Sequence, residues 1–242
     1  MSNNTPIVNH LAIIPDGNRR WAKKQAISLE GKIYEKGSEK TFEIIDAALK
    51  QDIPFVTFWA SSYSNLLARP KGFVNATEDM YVKKFNELAK NKLIHEQQVK
   101  IIVLGEWREI LQPKTIQAIQ NAIDATNNYT KRQLTILVGY DGHRERGAAI
   151  KALLQDNPTL PENLADGDNL LKKYCWTNSL PNADLIIRTG AWQDPHNSAA
   201  FLSMQSGESQ FAFPQVLWPD FTPIMLKDIL NDYNKRERRL GR

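Results

Sequence analysis

Cysteine is almost missing from this chain. It occurs once in 242 residues, as Cys175, which excludes an internal disulfide and a cysteine metal cluster. That lone thiol is expected to serve as a small buried apolar side chain. Histidine is scarce too, and His10, His95, His143 and His196 are scattered without the spacing of a metal-ligand set. No apolar run approaches the roughly 20 residues that cross a bilayer, and no secretory signal opens the sequence. The expected location is therefore the cytoplasm. Three Asn-X-Ser/Thr triplets, at Asn3, Asn75 and Asn128, carry no weight as glycosylation sites without such a signal. Linkers, repeats and low-complexity stretches are absent as well, so residues 9–242 read as one domain behind a short tail, residues 1–8.

What is present is ordinary globular material, 42% hydrophobic and 24% charged, with a formal net charge of +4. The mild basic excess suits anionic small molecules, an anionic membrane surface or nucleic acid, and does not choose among them. Apolar runs at residues 11–14, 54–60, 99–104, 134–138 and 184–187 read as strands, with a weaker one at 210–213. Helical patterns fall between them at 38–50, 78–95, 113–125, 146–154 and 164–174. The alternation predicts an α/β fold, a single domain with a mainly parallel central sheet flanked by helices. In such sheets ligands gather outside the carboxyl ends of the strands. Four polar clusters follow a strand at once, at 16–20, 61–69, 140–144 and 188–198, which places them at one rim.

The first cluster belongs to the run His-Leu-Ala-Ile-Ile-Pro-Asp-Gly-Asn-Arg-Arg-Trp-Ala-Lys-Lys, residues 10–24. Leu11 to Ile14 are apolar without alternation, as in a strand covered on both faces. Asp16 and Asn18 can cap a following helix, Gly17 permits a tight turn, and Arg19 and Arg20 stand where phosphate oxygens are favoured. A carboxylate among phosphate-seeking groups suggests a divalent metal bridging the two. The plainer reading is an N-cap with a solvated basic first turn. In the cluster Ser61 to Arg69, hydroxyls, the Asn65 amide and a guanidinium follow a strand, either as a capped loop or as a binding rim. Arg188 ends an apolar run, where a planar fork for phosphate competes evenly with a surface charge.

Six ordered segments, HLAIIPDGNRRWAKK, FWASSYSNLLARP, LTILVGYDGHRE, DLIIRTG, LWPDF and RERRLG, together resemble the cis-prenyltransferase family, whose best-known members are undecaprenyl diphosphate synthases. The resemblance spans nearly the whole chain. It implies a hydrophobic substrate tunnel beside the sheet, a homodimer, and Mg²⁺-dependent condensation of isopentenyl diphosphate with an allylic diphosphate such as farnesyl diphosphate. By the resemblance Asp16 is the catalytic carboxylate that handles Mg²⁺, and Gly17, Asn18, Arg19, Arg20 and Trp21 surround the allylic substrate. Asn65 matches the position tied to proton removal, with Ser62 and Ser64 beside it. Arg69, Arg188 and Ser198 match positions that hold diphosphate, and Arg239 lies in the terminal motif that reaches toward the neighbouring subunit. A long polyprenyl product of the undecaprenyl type is expected, with peripheral membrane contact for that lipid.

The chain also departs from the family pattern. Gly31 to Gly37 lack the usual Gly-His pair, leaving Lys32 or Tyr34 as substitutes. Arg69 is one residue further from Asn65 than usual, and Leu66 replaces a common aromatic. An insertion follows Gly190, and His196 takes the place of an arginine. The family's second acidic metal ligand aligns with Gln210, which leaves Glu208 or Asp194 to replace it or the metal to depend more on substrate phosphates. Two alternatives follow: a non-catalytic or regulatory subunit on the same fold, and an enzyme making a short-chain or branched product. Nucleic-acid binding is not expected, because the arginines lack interleaved stacking aromatics.

Overall fold

The computed structural model of the chain describes residues 8–26 and 32–236, with the backbone alone for residues 32–35. All six apolar runs form strands: β1 (His10–Ile14), β2 (Phe55–Ser62), β3 (Val99–Leu104), β4 (Arg132–Tyr140), β5 (Leu185–Arg188) and β6 (Gln210–Ala212). They make one sheet in the order β3-β4-β2-β1-β5-β6. Every pair is parallel, so the sheet is wholly rather than mainly parallel. The helices are α1 (Asn18–Lys24), α2 (Lys32–Leu49), α3 (Tyr63–Ala68), α4 (Lys71–Leu88), α5 (Lys92–Glu96), α6 (Trp107–Ile110), α7 (Pro113–Asp124), α8 (Gly142–Asp156), α9 (Leu164–Tyr174) and α10 (Pro223–Lys235).

The unbroken apolar character of β1 has a direct cause. Side chains alternate across a strand, and here each face meets its own core. Leu11 and Ile13 join Ile44, Phe85, Ile119 and Leu230 on one face of the sheet. Ala12 and Ile14 join Trp59, Tyr140, Phe201 and Leu202 on the other. A strand buried on both sides has no position left for an alternating polar residue. Cys175 is buried, as expected, and burial raises its thiol pKa to about 11.

Two helical expectations change. The helix expected over residues 78–95 is divided: α4 starts earlier, at Lys71, and ends at Leu88. Asn91 then starts α5 afresh, its side chain accepting the Ile94 N–H at 3.1 Å. Helix α10 lies outside the segments read as helical, although Thr222 caps it and Pro223 occupies its first turn.

Because all strands run one way, their carboxyl ends form a single rim. The chain leaves β1 for β2, β3 and β4 on one side, then crosses to β5 and β6 on the other. The crevice at that reversal is where an open α/β sheet binds its ligand, and β1 stands at its centre.

Candidate active site

β1 ends at Ile14, and the chain turns sharply through Gly17, whose φ is 109°. A Cβ there would stand 2.7 Å from Leu217 Cδ2, so both the left-handed backbone and the close packing require glycine. The turn is anchored through the Asp16 carbonyl, which accepts from Thr189 Oγ1 at 2.8 Å and from the Trp218 N–H at 3.1 Å. Neither Asp16 nor Asn18 caps α1, which corrects the expected capping role. The N-cap is Gly17, and the Asn18 amide donates to the Pro15 carbonyl at 3.1 Å. The Asp16 carboxylate is thereby left for other partners.

Those partners are two arginines. Arg20 Nη2 donates to Oδ1 and Arg188 Nη2 to Oδ2, each at 3.1 Å. Arg188 arrives from β5, where it is the register partner of Ile14. Its Nη1 donates to the His196 carbonyl at 2.9 Å and to Ser198 Oγ at 2.7 Å. Its Nε is buried without a partner. The Arg188 side chain is 9% exposed, against 35% for Asp16. A buried guanidinium with an unused donor and a shared counter-charge is prepared for an anion.

Across the mouth, Ser62 closes β2 and caps α3, its Oγ accepting the Asn65 N–H at 3.1 Å and lying 3.3 Å from Ser64 Oγ. Asn65 and Ser64 are exposed, and the Arg69 guanidinium lies over the Phe73 ring at 4.4 Å. The capped loop of the plainer reading is a short helix, α3, started by Ser62.

A cavity of about 1240 Å³ joins these groups. Asp16, Gly17, Asn18, Arg19 and Arg20 line it together with Ser62, Ser64, Asn65, Arg69, Arg188 and Ser198. Its remaining wall is largely apolar and includes Phe42, Ile45, Phe58, Met80, Phe85 and Leu88. The sequence marked the faces of α2 and α4 as apolar, and a face that covers a sheet can equally line a cavity beside it. Trp218 also lines the cavity. It was legible only as part of LWPDF, with no role attached, as Thr189 was within DLIIRTG.

Other candidates stand apart. Trp21 packs against Leu217, and its Nε1 donates to Asp220 Oδ1 at 2.8 Å. His196 meets Arg188 through its carbonyl, while its ring lies 2.8 Å from the Asp194 carbonyl and 3.1 Å from Ser198 Oγ. Gln210 opens the edge strand β6, with Oε1 accepting from Arg236 Nη1 at 3.0 Å. Glu208 is exposed in the turn before it. Gly31 and Arg239 lie outside the described residues, as do the side chains of Lys32 and Tyr34. Among the described residues no group of three or more His, Cys, Asp or Glu is placed to hold a metal. Among the described residues Asp16 is the single carboxylate lining the cavity. That donor set fits Mg²⁺ carried on one carboxylate and substrate phosphates, and does not fit an all-protein cage.

A family model described as "Putative undecaprenyl diphosphate synthase" matches residues 14–241. The chain belongs to the undecaprenyl diphosphate synthase family of cis-prenyltransferases. It is an isoprenyl transferase family enzyme. The family's isoprenyl transferase from Thermus thermophilus is 33% identical over 242 residues, covering 98% of this chain and 90% of its own. The tritrans,polycis-undecaprenyl-diphosphate synthase (geranylgeranyl-diphosphate specific) of Pyrococcus abyssi is 36% identical over 236 residues, 96% of this chain and 86% of its own. Among solved cis-prenyltransferase-like structures, lavandulyl diphosphate synthase from Lavandula x intermedia, in complex with dimethylallyl diphosphate, superposes with a TM-score of 0.85. It shares 26% identity and covers 97% of this chain and 98% of its own.

Proposed function

We propose that this cis-prenyltransferase condenses isopentenyl diphosphate with an allylic diphosphate and releases inorganic diphosphate, giving a long cis-polyprenyl product. The observation that carries the reading is the junction of two environments in one cavity. Asp16 with Arg20 and Arg188 forms the charged mouth, and an apolar wall runs inward from it.

The residues divide the work by chemistry. As the allylic carbon–oxygen bond breaks, negative charge grows on the departing diphosphate. Arg20 and Arg188, already fixed by Asp16 and Ser198, face that charge without reorganising. Mg²⁺, held by Asp16 and phosphate oxygens, supplies further Lewis-acid stabilisation when bound. Arg19 and Arg69 add positive potential at the rim. Asn65, beside Ser62 and Ser64, orients the isopentenyl unit so that, once the new carbon–carbon bond has formed, its proton passes to the released diphosphate. Phe42, Phe85 and Leu88 keep water from the cationic carbon fragment and receive the growing chain.

The cavity exceeds the roughly 300–1,000 Å³ of an ordinary small-molecule site, which favours a long product. The likeness to lavandulyl diphosphate synthase favours a second reading, a short or branched product. Homodimer formation, a cytoplasmic location and peripheral contact with the membrane that receives the lipid belong to the same proposal. Labelled isopentenyl diphosphate incubated with farnesyl or geranylgeranyl diphosphate and Mg²⁺, followed by sizing of the product, tests it. A long labelled polyprenyl chain is expected, a single branched addition would select the second reading, and no incorporation at any metal concentration would refute both.

A further inference from the structure

Behind the groups that face the cavity lies a buried polar chain that the proposed reaction does not use. Tyr140, Glu145, Thr177 and Gln205 are each fully buried. Tyr140 Oη donates to Glu145 Oε2 at 2.6 Å. The other carboxylate oxygen accepts from the Thr177 backbone N–H at 2.8 Å and from the Thr177 hydroxyl at 2.7 Å. Gln205 Nε2 donates to the Thr177 carbonyl at 3.0 Å and to Thr177 Oγ1 at 2.8 Å. Burying a carboxylate among neutral donors is costly. Burial and the adjacent Glu145 charge push the Tyr140 pKa up, so its hydroxyl remains a donor.

This chain supports an unusual stretch of backbone. Ala199, Ala200 and Leu202 have φ of 46°, 48° and 48°, the left-handed region that residues with a Cβ avoid. Such a conformation persists only where its surroundings over-determine it. Tyr140 contributes twice: Oη accepts the Leu202 N–H at 3.3 Å, and its ring meets the Phe201 ring edge-on at 6.4 Å. Helix α8 contributes at its first residue, since a Cβ on Gly142 would overlap the Ala200 carbonyl oxygen. Glu145, in the first turn of α8, ties Tyr140 to that helix. The segment held in this way begins at Ser198, whose hydroxyl accepts from Arg188.

We propose that Glu145 and Tyr140 are positioning residues for diphosphate recognition, holding the left-handed segment so that Ser198 sets the Arg188 fork. The proposal deepens the diphosphate reading of the cavity mouth and rests on it. Neither residue lines the cavity, so each acts through Ser198 and not by touching substrate.

Inorganic pyrophosphate, titrated calorimetrically into the full chain, provides a probe independent of turnover. The proteins compared are wild type, Tyr140→Phe, Glu145→Gln, Ser198→Ala and the Tyr140→Phe/Ser198→Ala double variant, each below its own melting midpoint. Every single variant is expected to bind pyrophosphate about tenfold more weakly. The double variant should bind no more weakly than Ser198→Ala alone, because both changes remove the same contact. Unchanged affinity in folded Tyr140→Phe and Glu145→Gln, or losses that multiply in the double variant, would overturn the proposal. Should Tyr140→Phe fail to fold, Glu145→Gln, which keeps the side-chain shape, decides. Wild-type protein that ignores pyrophosphate would overturn the diphosphate reading itself, and the positioning role with it.

Discussion

Asn18 Oδ1 lies 2.5 Å from the point where a Cβ on Gly37 would stand. Helix α2 therefore meets the start of α1 through a glycine, and the Asn18 oxygen pressed against it is buried without a hydrogen-bond partner. The Gly37 carbonyl also accepts from Trp218 Nε1 at 2.9 Å. These contacts join α2 to the Asp16 turn.

Replacing Gly37 by alanine should separate stability from activity. Alanine gains about 0.5–1 kcal/mol of helix propensity over glycine, so the thermal midpoint should hold or rise. The added methyl must displace the Asn18 side chain, which lines the cavity, and kcat/KM should fall about tenfold or more. A melting curve and steady-state kinetics on the same preparation decide. Unchanged kinetics would mean that Asn18 has no part in substrate placement.

Asp16→Asn removes the charge that opposes both arginines. Turnover should drop by about 100-fold or more, since the carboxylate proposed to hold Mg²⁺ is lost. Metal-free pyrophosphate affinity should stay level or rise, because Arg20 and Arg188 lose their counter-charge. Calorimetry alongside labelled-substrate kinetics reads both quantities. Turnover near that of wild type in a folded protein would refute the role given to Asp16.

Arg188→Lys keeps the charge and loses the fork. A lysine cannot reach Asp16, the His196 carbonyl and Ser198 together as Arg188 does. The KM for the allylic diphosphate should rise about tenfold, and kcat should fall with it because the departing diphosphate loses part of its stabilisation. An unchanged KM would place the diphosphate elsewhere.

His10 predicts how stability follows pH. Its Nδ1 lies 2.9 Å from the Pro181 carbonyl and its Nε2 2.8 Å from Thr57 Oγ1, partners that suit a neutral ring. Burial lowers its pKa from the ordinary 6.5. As pH falls through about 6.5 the unfolded chain gains a proton that the folded chain refuses, so this contribution is complete above that value and lost below it. Melting midpoints should therefore fall from about pH 7.5 to about pH 5.5, and His10→Asn should flatten that slope at a lower overall stability. An equally steep slope in the variant would assign the effect to other groups.

Strands were the most legible feature, because burial on both faces of the sheet leaves an uninterrupted apolar run such as Leu11 to Ile14. The break between α4 and α5 leaves no mark in the apolar pattern. The apolar periodicity continues across Asn91, and only the competition of its side chain for the Ile94 N–H ends one helix and starts another. The signal for α10, Thr222 followed by Pro223, was present and unread. Within the site, placement at the carboxyl ends of strands is enough to bring Asp16, Asn65, Arg69 and Arg188 to one cavity. It does not specify that Arg188 from β5 holds Asp16, or that His196 faces Arg188 through its backbone. Those contacts depend on register between distant strands, which local spacing does not encode.

The central place of β1 also orders the birth of the molecule. His10 pairs with Phe55 early in the chain, whereas Leu11 waits for Leu185, so one flank of the first strand stays open through most of synthesis. Long-range parallel pairing of this kind is slow. Asp16 gains Arg188 only after β5 docks, and the anion site is therefore among the last features to be completed. A ribosome-stalled chain ending before β5 should hold the first four strands of the sheet without yet capturing a diphosphate.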